Sequence, residues 1–171
     1  MSGHHVIVIG GGLGGLWATL GLAATGHRVT LVFVIRGDAL TIRSAHEGGI
    51  NAVLDMKGQH DSVWQHFVDT IKGGSYMANQ PPVKSMCDDA PGLIHTFERM
   101  GVTFSRTPEG LLDQRLFGGV KNKRTCFAGA STGQQLMYGV DQQVRRMETE
   151  GKVEKHEWWE FLSIVKDADG I

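Results

Sequence analysis

Gly10-x-Gly12-x-x-Gly15 follows directly on Val6-Ile7-Val8-Ile9 and runs into Leu16–Ala24, where Leu16, Leu20 and Ala23/Ala24 recur at helical spacing. A β-branched run with no polar alternation reads as a strand buried on both faces, so Val6–Ile9 predicts a central, parallel strand. Gly26 is placed to end the helix, and Val29–Val34 predicts a second buried strand. Strand, glycine turn, helix and strand in this order form the setting in which the glycine spacing binds a dinucleotide. The first glycine permits the tight turn. The second removes a Cβ that would block the pyrophosphate, and the third lets the helix lie close to the strand. The helix N-terminus then presents free N–H groups and a positive dipole end to the phosphates. Gly10, Gly11, Gly12, Leu13, Gly14 and Gly15 are therefore the candidate cradle, and a glycine turn that serves packing alone is the competing reading.

The acid that ordinarily ends the second strand and bonds the ribose hydroxyls is missing. The strand end reads Phe33-Val34-Ile35, Arg36 follows, and Asp38 is the first acid. Arg36 would suit a 2′-phosphate, and it also reads as an ordinary solvated loop arginine.

Composition removes other classes. Seventeen Lys+Arg against eighteen Asp+Glu leave a net charge of −1, without the basic excess that a nucleic-acid-binding domain needs. Two cysteines, Cys87 and Cys126, are too few for a disulfide framework, an iron–sulfur cluster or a cysteine-rich zinc site. No metal site is expected. A hydrophobic fraction of 41% is enough to bury a core. The 24 glycines sit in pairs and triplets, which marks places where backbone must approach something closely. The first residues, Met1–His5, carry no basic segment leading into an apolar stretch, and the longest apolar runs fall short of a membrane span. The expectation is a cytoplasmic chain that reaches a membrane only through a partner.

Residues 35–60 read as a long functional loop with a short helix after Gly49. Asp61 or Ser62 caps a helix to Ile71, with Val63, Phe67 and Ile71 as its stripe. Pro81-Pro82 opens one helical stretch, and Pro91 to Met100 reads as a second. Val102–Phe104 and Gly110–Leu112 predict two short strands around the Thr107-Pro108-Glu109-Gly110 turn. Thr132 is expected to cap a helix over Gly133–Glu150. Lys152–Trp158 and Phe161–Val165 read as strands, the second ending in Asp169-Gly170, a hairpin signal with only Ile171 to return. The expectation is that the natural polypeptide continues.

Long irregular strings carry a resemblance. They are Val6 to Gly15, Gly48-Gly49-Ile50-Asn51, Lys57-Gly58 with Asp61-Ser62, and His66-Phe67-Val68-Asp69-Thr70. They continue with Ala78 to Lys84, Arg106 to Asp113, Arg115-Leu116-Phe117-Gly118-Gly119 and Thr132-Gly133-Gln134-Gln135-Leu136. In these the chain resembles the flavoprotein subunit of succinate dehydrogenases and fumarate reductases, particularly bacterial quinone-coupled enzymes. The resemblance covers residues 4–170 and is poor over 33–47. Several members of that family also lack the acid at the strand end.

The resemblance implies an α/β fold: a Rossmann-like FAD-binding domain, a parallel sheet with a β-meander or hairpin. Residues 1–171 would be its N-terminal portion only, with the capping domain and the remainder of the FAD domain absent. It implies FAD as the dinucleotide and hydride transfer between succinate or fumarate and the flavin. Gly48 and Gly49 would lie against the isoalloxazine edge, and Phe117 would wall the dicarboxylate pocket. Glu157-Trp158 would lie on the strand that approaches the adenine end. An ordinary Gly-Gly turn, a core aromatic and a structural strand are the corresponding plain readings.

In quinone-coupled members FAD is attached to the histidine of an Arg-Ser-His string. Here the string is Arg43-Ser44-Ala45-His46-Glu47-Gly48-Gly49, with Ser44 a candidate flavin contact; His46 is a candidate for attachment only if the loop shifts register, since, counted back from the glycines, Ile42 takes the histidine's place. Glu47 stands where the family has glutamine, an added carboxylate beside a dianionic substrate. The family's carboxylate-binding and proton-delivering residues come from later segments, so no catalytic residue is assigned. Arg106, Arg115 and Arg124 are expected to face solvent or phosphate. The implied partners are an iron–sulfur subunit and, through it, a cytochrome b membrane anchor, which would hold the protein on the inner face of the cell membrane. A soluble fumarate reductase or L-aspartate oxidase with non-covalent FAD, and a binding or assembly fragment without turnover, remain alternatives.

Overall fold

The computed structural model describes residues 3–34, 48–56, 58 and 60–166. These form β1 (His5–Ile9), α1 (Leu13–Ala24), β2 (Arg28–Phe33), β3 (Ile50–Asn51), α2 (Val63–Gly73) and α3 (Gln80–Arg99). Next come β4 (Gln114–Arg115), β5 (Thr125–Cys126), α4 (Thr132–Thr149) and β6 (Val153–Glu157). The chain divides into two units, one of residues 1–43 and 140–171, the other of residues 44–139.

The first unit is built on a three-stranded parallel sheet of order β1-β2-β6. β2 is central, with Val29 and Leu31 at 0% exposure, and α1 buries Leu16, Thr19 and Ala23. The unalternating run Val6–Ile9 predicts a central strand, but β1 lies at the edge of this sheet, with Ile7 61% and Ile9 54% exposed. The run demands apolar neighbours without saying how many a given sheet supplies. The expected strand at Phe161–Val165 is not formed: it makes no ladder with any described strand, and Leu162 and Val165 are largely exposed. A strand exists only against a hydrogen-bonded neighbour, which alternation in one segment cannot provide. The Asp169-Gly170 turn and Ile171 lie outside the described residues.

In the second unit, Ser62 caps α2 by accepting the Gln65 N–H at 3.0 Å. α3 starts with Pro81 and Pro82 in its first turn and runs unbroken through Pro91. The two expected helices are thus one. Pro91 gives up the bond to the Cys87 carbonyl, but Cys87, Ala90, Ile94 and Phe97 bury a continuous stripe across it. The expected pair of strands around Thr107–Gly110 shrinks to one bridge, Arg106 to Leu112, closed by Gly110 N–H to the Thr107 carbonyl at 2.9 Å. Gly49 leads into a strand, not a helix, because Ile50 and Asn51 pair antiparallel with Cys126 and Thr125. The small sheet has the order β3-β5-β4. Among the described residues no helix is long and apolar enough to cross a membrane.

Candidate functional site

Three kinds of constraint make the turn after β1. Gly10 has φ +115, a backbone state that favours glycine, and its N–H donates to the Val32 carbonyl at 2.8 Å. A Cβ on Gly15 would stand 1.9 Å from the Gly10 carbonyl oxygen, and one on Gly11 would stand 2.7 Å from the Phe33 ring. A Cβ on Gly12 or Gly14 would meet nothing within 4 Å. The turn is therefore closed beneath and open above. Gly12 sits at the N-cap of α1 with no side-chain cap, and the first intrahelical bond of the turn is Leu16 N–H to Gly12 at 2.9 Å. The amides of Leu13, Gly14 and Gly15 lie in the first turn, where a helix has no internal acceptors for them. Open space above unclaimed amides at a helix N-terminus fits a diphosphate.

Beside the turn is an apolar cleft of about 300 Å³, lined by Gly10–Gly12, Phe33, Val34, Trp159 and Phe161 among others. Trp159 is tied there by its N–H, which donates to the Phe33 carbonyl at 3.2 Å. Trp158 has φ +67 and lines a different pocket with Arg145, Glu148, Lys155 and Glu157. The sequence singles out Trp158, and adjacent aromatics cannot be assigned to faces before the strand's end is known, so Trp159 at the cleft beside the turn is a position that only the fold reveals. The register places Glu157 opposite Phe33 at the end of the neighbouring strand, so an acid does stand beside the end of β2. Lys155 Nζ lies 3.5 Å from its carboxylate.

In the second unit, Gly49 is required by packing: a Cβ would stand 2.3 Å from Thr125 Cγ2 and 2.7 Å from the Cys126 carbonyl oxygen. Gly48 faces open space. Its carbonyl accepts two hydrogen bonds, from an Arg115 guanidinium nitrogen at 3.1 Å and from Thr132 Oγ1 at 3.0 Å. Thr132 is the first residue of α4, not its cap; its buried hydroxyl also accepts the Ala128 N–H at 3.0 Å. The Arg115 guanidinium lies 4.4 Å from the Phe127 ring centre and 5.9 Å from that of Phe117, which is half-exposed.

Arg124 corrects the expectation of a solvated or phosphate-facing arginine. It is fully buried, bonded to both carboxylate oxygens of Asp61 at 2.8 and 2.9 Å, and lies 3.0 Å from Asp69. Arg115 likewise turns to the Gly48 carbonyl, and Arg106 pairs with Glu98 and donates to the Gly110 carbonyl. The Arg124 carbonyl accepts the Ala52 N–H at 2.8 Å, and Gln114 donates to the Ala52 carbonyl at 2.8 Å. This buried polar cluster fixes the strand that follows Gly48-Gly49. His66 packs beside it, its pKa lowered by burial and then by Arg124. Both cysteines are fully buried, and burial pushes the Cys126 thiol up to about 12 and the Cys87 thiol up as well, which disfavours the thiolate. Ser44, His46 and Glu47 lie outside the described residues, as do Arg36, Asp38 and Ile42.

Residues 5–171 match the FAD binding domain family. The chain is 52% identical over 173 residues to the succinate dehydrogenase flavoprotein subunit of Bacillus subtilis strain 168, covering 99% of this chain and 29% of that protein. In fold it is similar to Mycobacterium smegmatis Sdh1 in complex with UQ1, with a TM-score of 0.84 and 28% identity over 92% of this chain and 28% of the other. It also resembles a quinol-fumarate reductase solved with menaquinol molecules, with a TM-score of 0.77 and 26% identity over 92% of this chain and 27% of the other. The chain thus spans less than a third of the relatives it matches. The glycine turn, with room above it for a diphosphate, and the match across both units lead to one conclusion: this chain belongs to the FAD-binding domain family, with succinate dehydrogenase and fumarate reductase flavoprotein subunits among its relatives.

Proposed function

We propose that this chain is the nucleotide-binding part of a flavoprotein subunit in a succinate:quinone oxidoreductase. The observation that carries the reading is the Gly10–Gly15 turn, closed below by the contact of Gly15 on Gly10 and open above Gly12 and Gly14. Bound FAD would supply the acceptor for a hydride from succinate and an outlet for single electrons. Gly10, Gly11, Gly12, Leu13, Gly14 and Gly15 take its diphosphate. Gly48 and Gly49 seat the isoalloxazine edge, and Trp158 belongs to the adenine end. Ser44 and His46 lie at the attachment loop, His46 being the candidate for a covalent bond. Phe117 walls the dicarboxylate pocket, where it excludes water, and Glu47 lies next to the substrate. The groups that clamp the carboxylates and move the proton come from the rest of a longer protein. Electrons pass to an iron–sulfur subunit and through it to a cytochrome b membrane anchor, which places the chain peripherally on the inner face of the cell membrane.

The complex purified with its full-length subunits is expected to reduce an artificial electron acceptor with succinate, and malonate is expected to inhibit it. A flavin-replete preparation without malonate-sensitive activity would overturn the reading. Acid precipitation separates the attachment modes. Yellow colour in the pellet that His46→Ala moves to the supernatant means a covalent bond at His46, and colour already in the supernatant favours the soluble relatives with free FAD.

A further inference from the structure

We infer that Thr132 and Arg115 are positioning residues that aim the Gly49 N–H at the flavin. The inference rests on the reading that Gly48-Gly49 seats the isoalloxazine edge. In a trans peptide the carbonyl of one residue and the N–H of the next point in opposite directions. The Gly48–Gly49 peptide is trans, and its carbonyl is gripped by two donors, Thr132 Oγ1 at 3.0 Å and Arg115 at 3.1 Å. Fixing that oxygen fixes the Gly49 N–H on the other side of the plane. Glycine at both positions leaves the peptide free to rotate unless something outside the backbone holds it.

Each grip is itself held. The Thr132 hydroxyl is 1% exposed as a residue and accepts the Ala128 N–H at 3.0 Å, so its proton is committed to Gly48. The Arg115 guanidinium stacks 4.4 Å from the Phe127 ring centre, which fixes its plane. It also lies 5.9 Å from Phe117, so one side chain spans the flavin seat and the wall assigned to the dicarboxylate pocket. A preoriented N–H strengthens its bond as negative charge builds on the flavin during reduction, so losing the orientation disfavours the reduced form.

The test uses the full-length flavoprotein with FAD bound, and reads the flavin's two-electron reduction equilibrium against a redox dye. Thr132→Val removes the donor at constant charge and nearly constant size. It is expected to shift the equilibrium about tenfold toward oxidised flavin, the size of one lost hydrogen bond to a charged group, with FAD content unchanged. Thr132→Ser restores the hydroxyl and is expected to return the equilibrium to that of the parent. Should Thr132→Val fail to fold, Arg115→Lys carries the test: it keeps the charge, loses the stacked fork, and is expected to give a smaller shift in the same direction. Gly48→Ala places a methyl group in open space and reports whether flavin lies there at all. A shift with Gly48→Ala but none with Thr132→Val or Arg115→Lys overturns the positioning role and leaves the seat standing. No shift with any of these variants overturns the flavin seat and this inference with it.

Discussion

The turn at Gly10–Gly15 and the strand entry at Gly48-Gly49 both depend on glycine, yet they are held in different ways. The first is shaped by backbone alone: a positive φ at Gly10, a carbonyl that Gly15 must not touch with a Cβ, and a helix start without a side-chain cap. The second is shaped by distant side chains. Arg115 and Thr132 hold the Gly48 carbonyl, while Gln114 and the backbone of Arg124 hold Ala52. A turn made of local geometry is written in consecutive residues. A turn held by a buried polar network is spread over residues 48–132 and becomes visible only when the chain has folded.

The sharpest way to break this contrast is at Gly15. Gly15→Ala drives a Cβ to 1.9 Å from the Gly10 oxygen, so the turn must open, and FAD is expected to be lost almost completely. Gly21→Ala in the same helix meets nothing within 4 Å; it is expected to keep FAD and to add about 0.5–1 kcal/mol of stability. The ratio of flavin to protein absorbance in the purified full-length protein checks both, and equal FAD retention would show that the turn tolerates what its geometry forbids.

Next in size is the network of the second unit. Arg124→Met leaves Asp61 and Asp69 without their shared buried cation and is expected to cost about 3–5 kcal/mol. The urea midpoint followed by circular dichroism measures the loss. An unchanged midpoint would mean that the strand after Gly49 is held by its ladder alone.

The smallest effect is at His66. Burial, and then Arg124, lowers its pKa, so the folded state keeps the imidazole neutral while the unfolded chain takes up a proton near the ordinary value of 6.5. The unfolded state then binds more protons, so the stability His66 contributes is present above that pH and is lost as pH falls through it. The midpoint of His66→Gln should fall less than that of the parent over the same acid range, and parallel curves would remove His66 as the source.

Legibility in the sequence follows the same division. Val6–Gly15 and the strand expected over Val29–Val34, found as Arg28–Phe33, could be read directly, since strand period, turn chemistry and helix start are local. Ser62 as a cap was legible for the same reason, because its partner Gln65 is three residues away. The single helix through Pro91 was not, because the cost at one residue is outweighed by a buried stripe that only packing against α2 creates. Arg124 was misread as solvated because its partners, Asp61 and Asp69, lie more than fifty residues earlier. Which of Trp158 and Trp159 lines the cleft beside the turn was not legible, because strand parity is lost at the end of β6, where Trp158 takes a positive φ.

Consecutive residues were enough to declare a dinucleotide turn, since steric rules for glycine act within a few bonds and need no knowledge of the rest. Folding alone decided that β2 and not β1 is central, that Trp159 and not Trp158 lines the cleft beside the turn, and that the Gly48 carbonyl is taken by Arg115 and Thr132. Each of these depends on which distant groups are brought within hydrogen-bonding or van der Waals reach. Those interactions fade within a few ångströms, so no one-dimensional pattern records them.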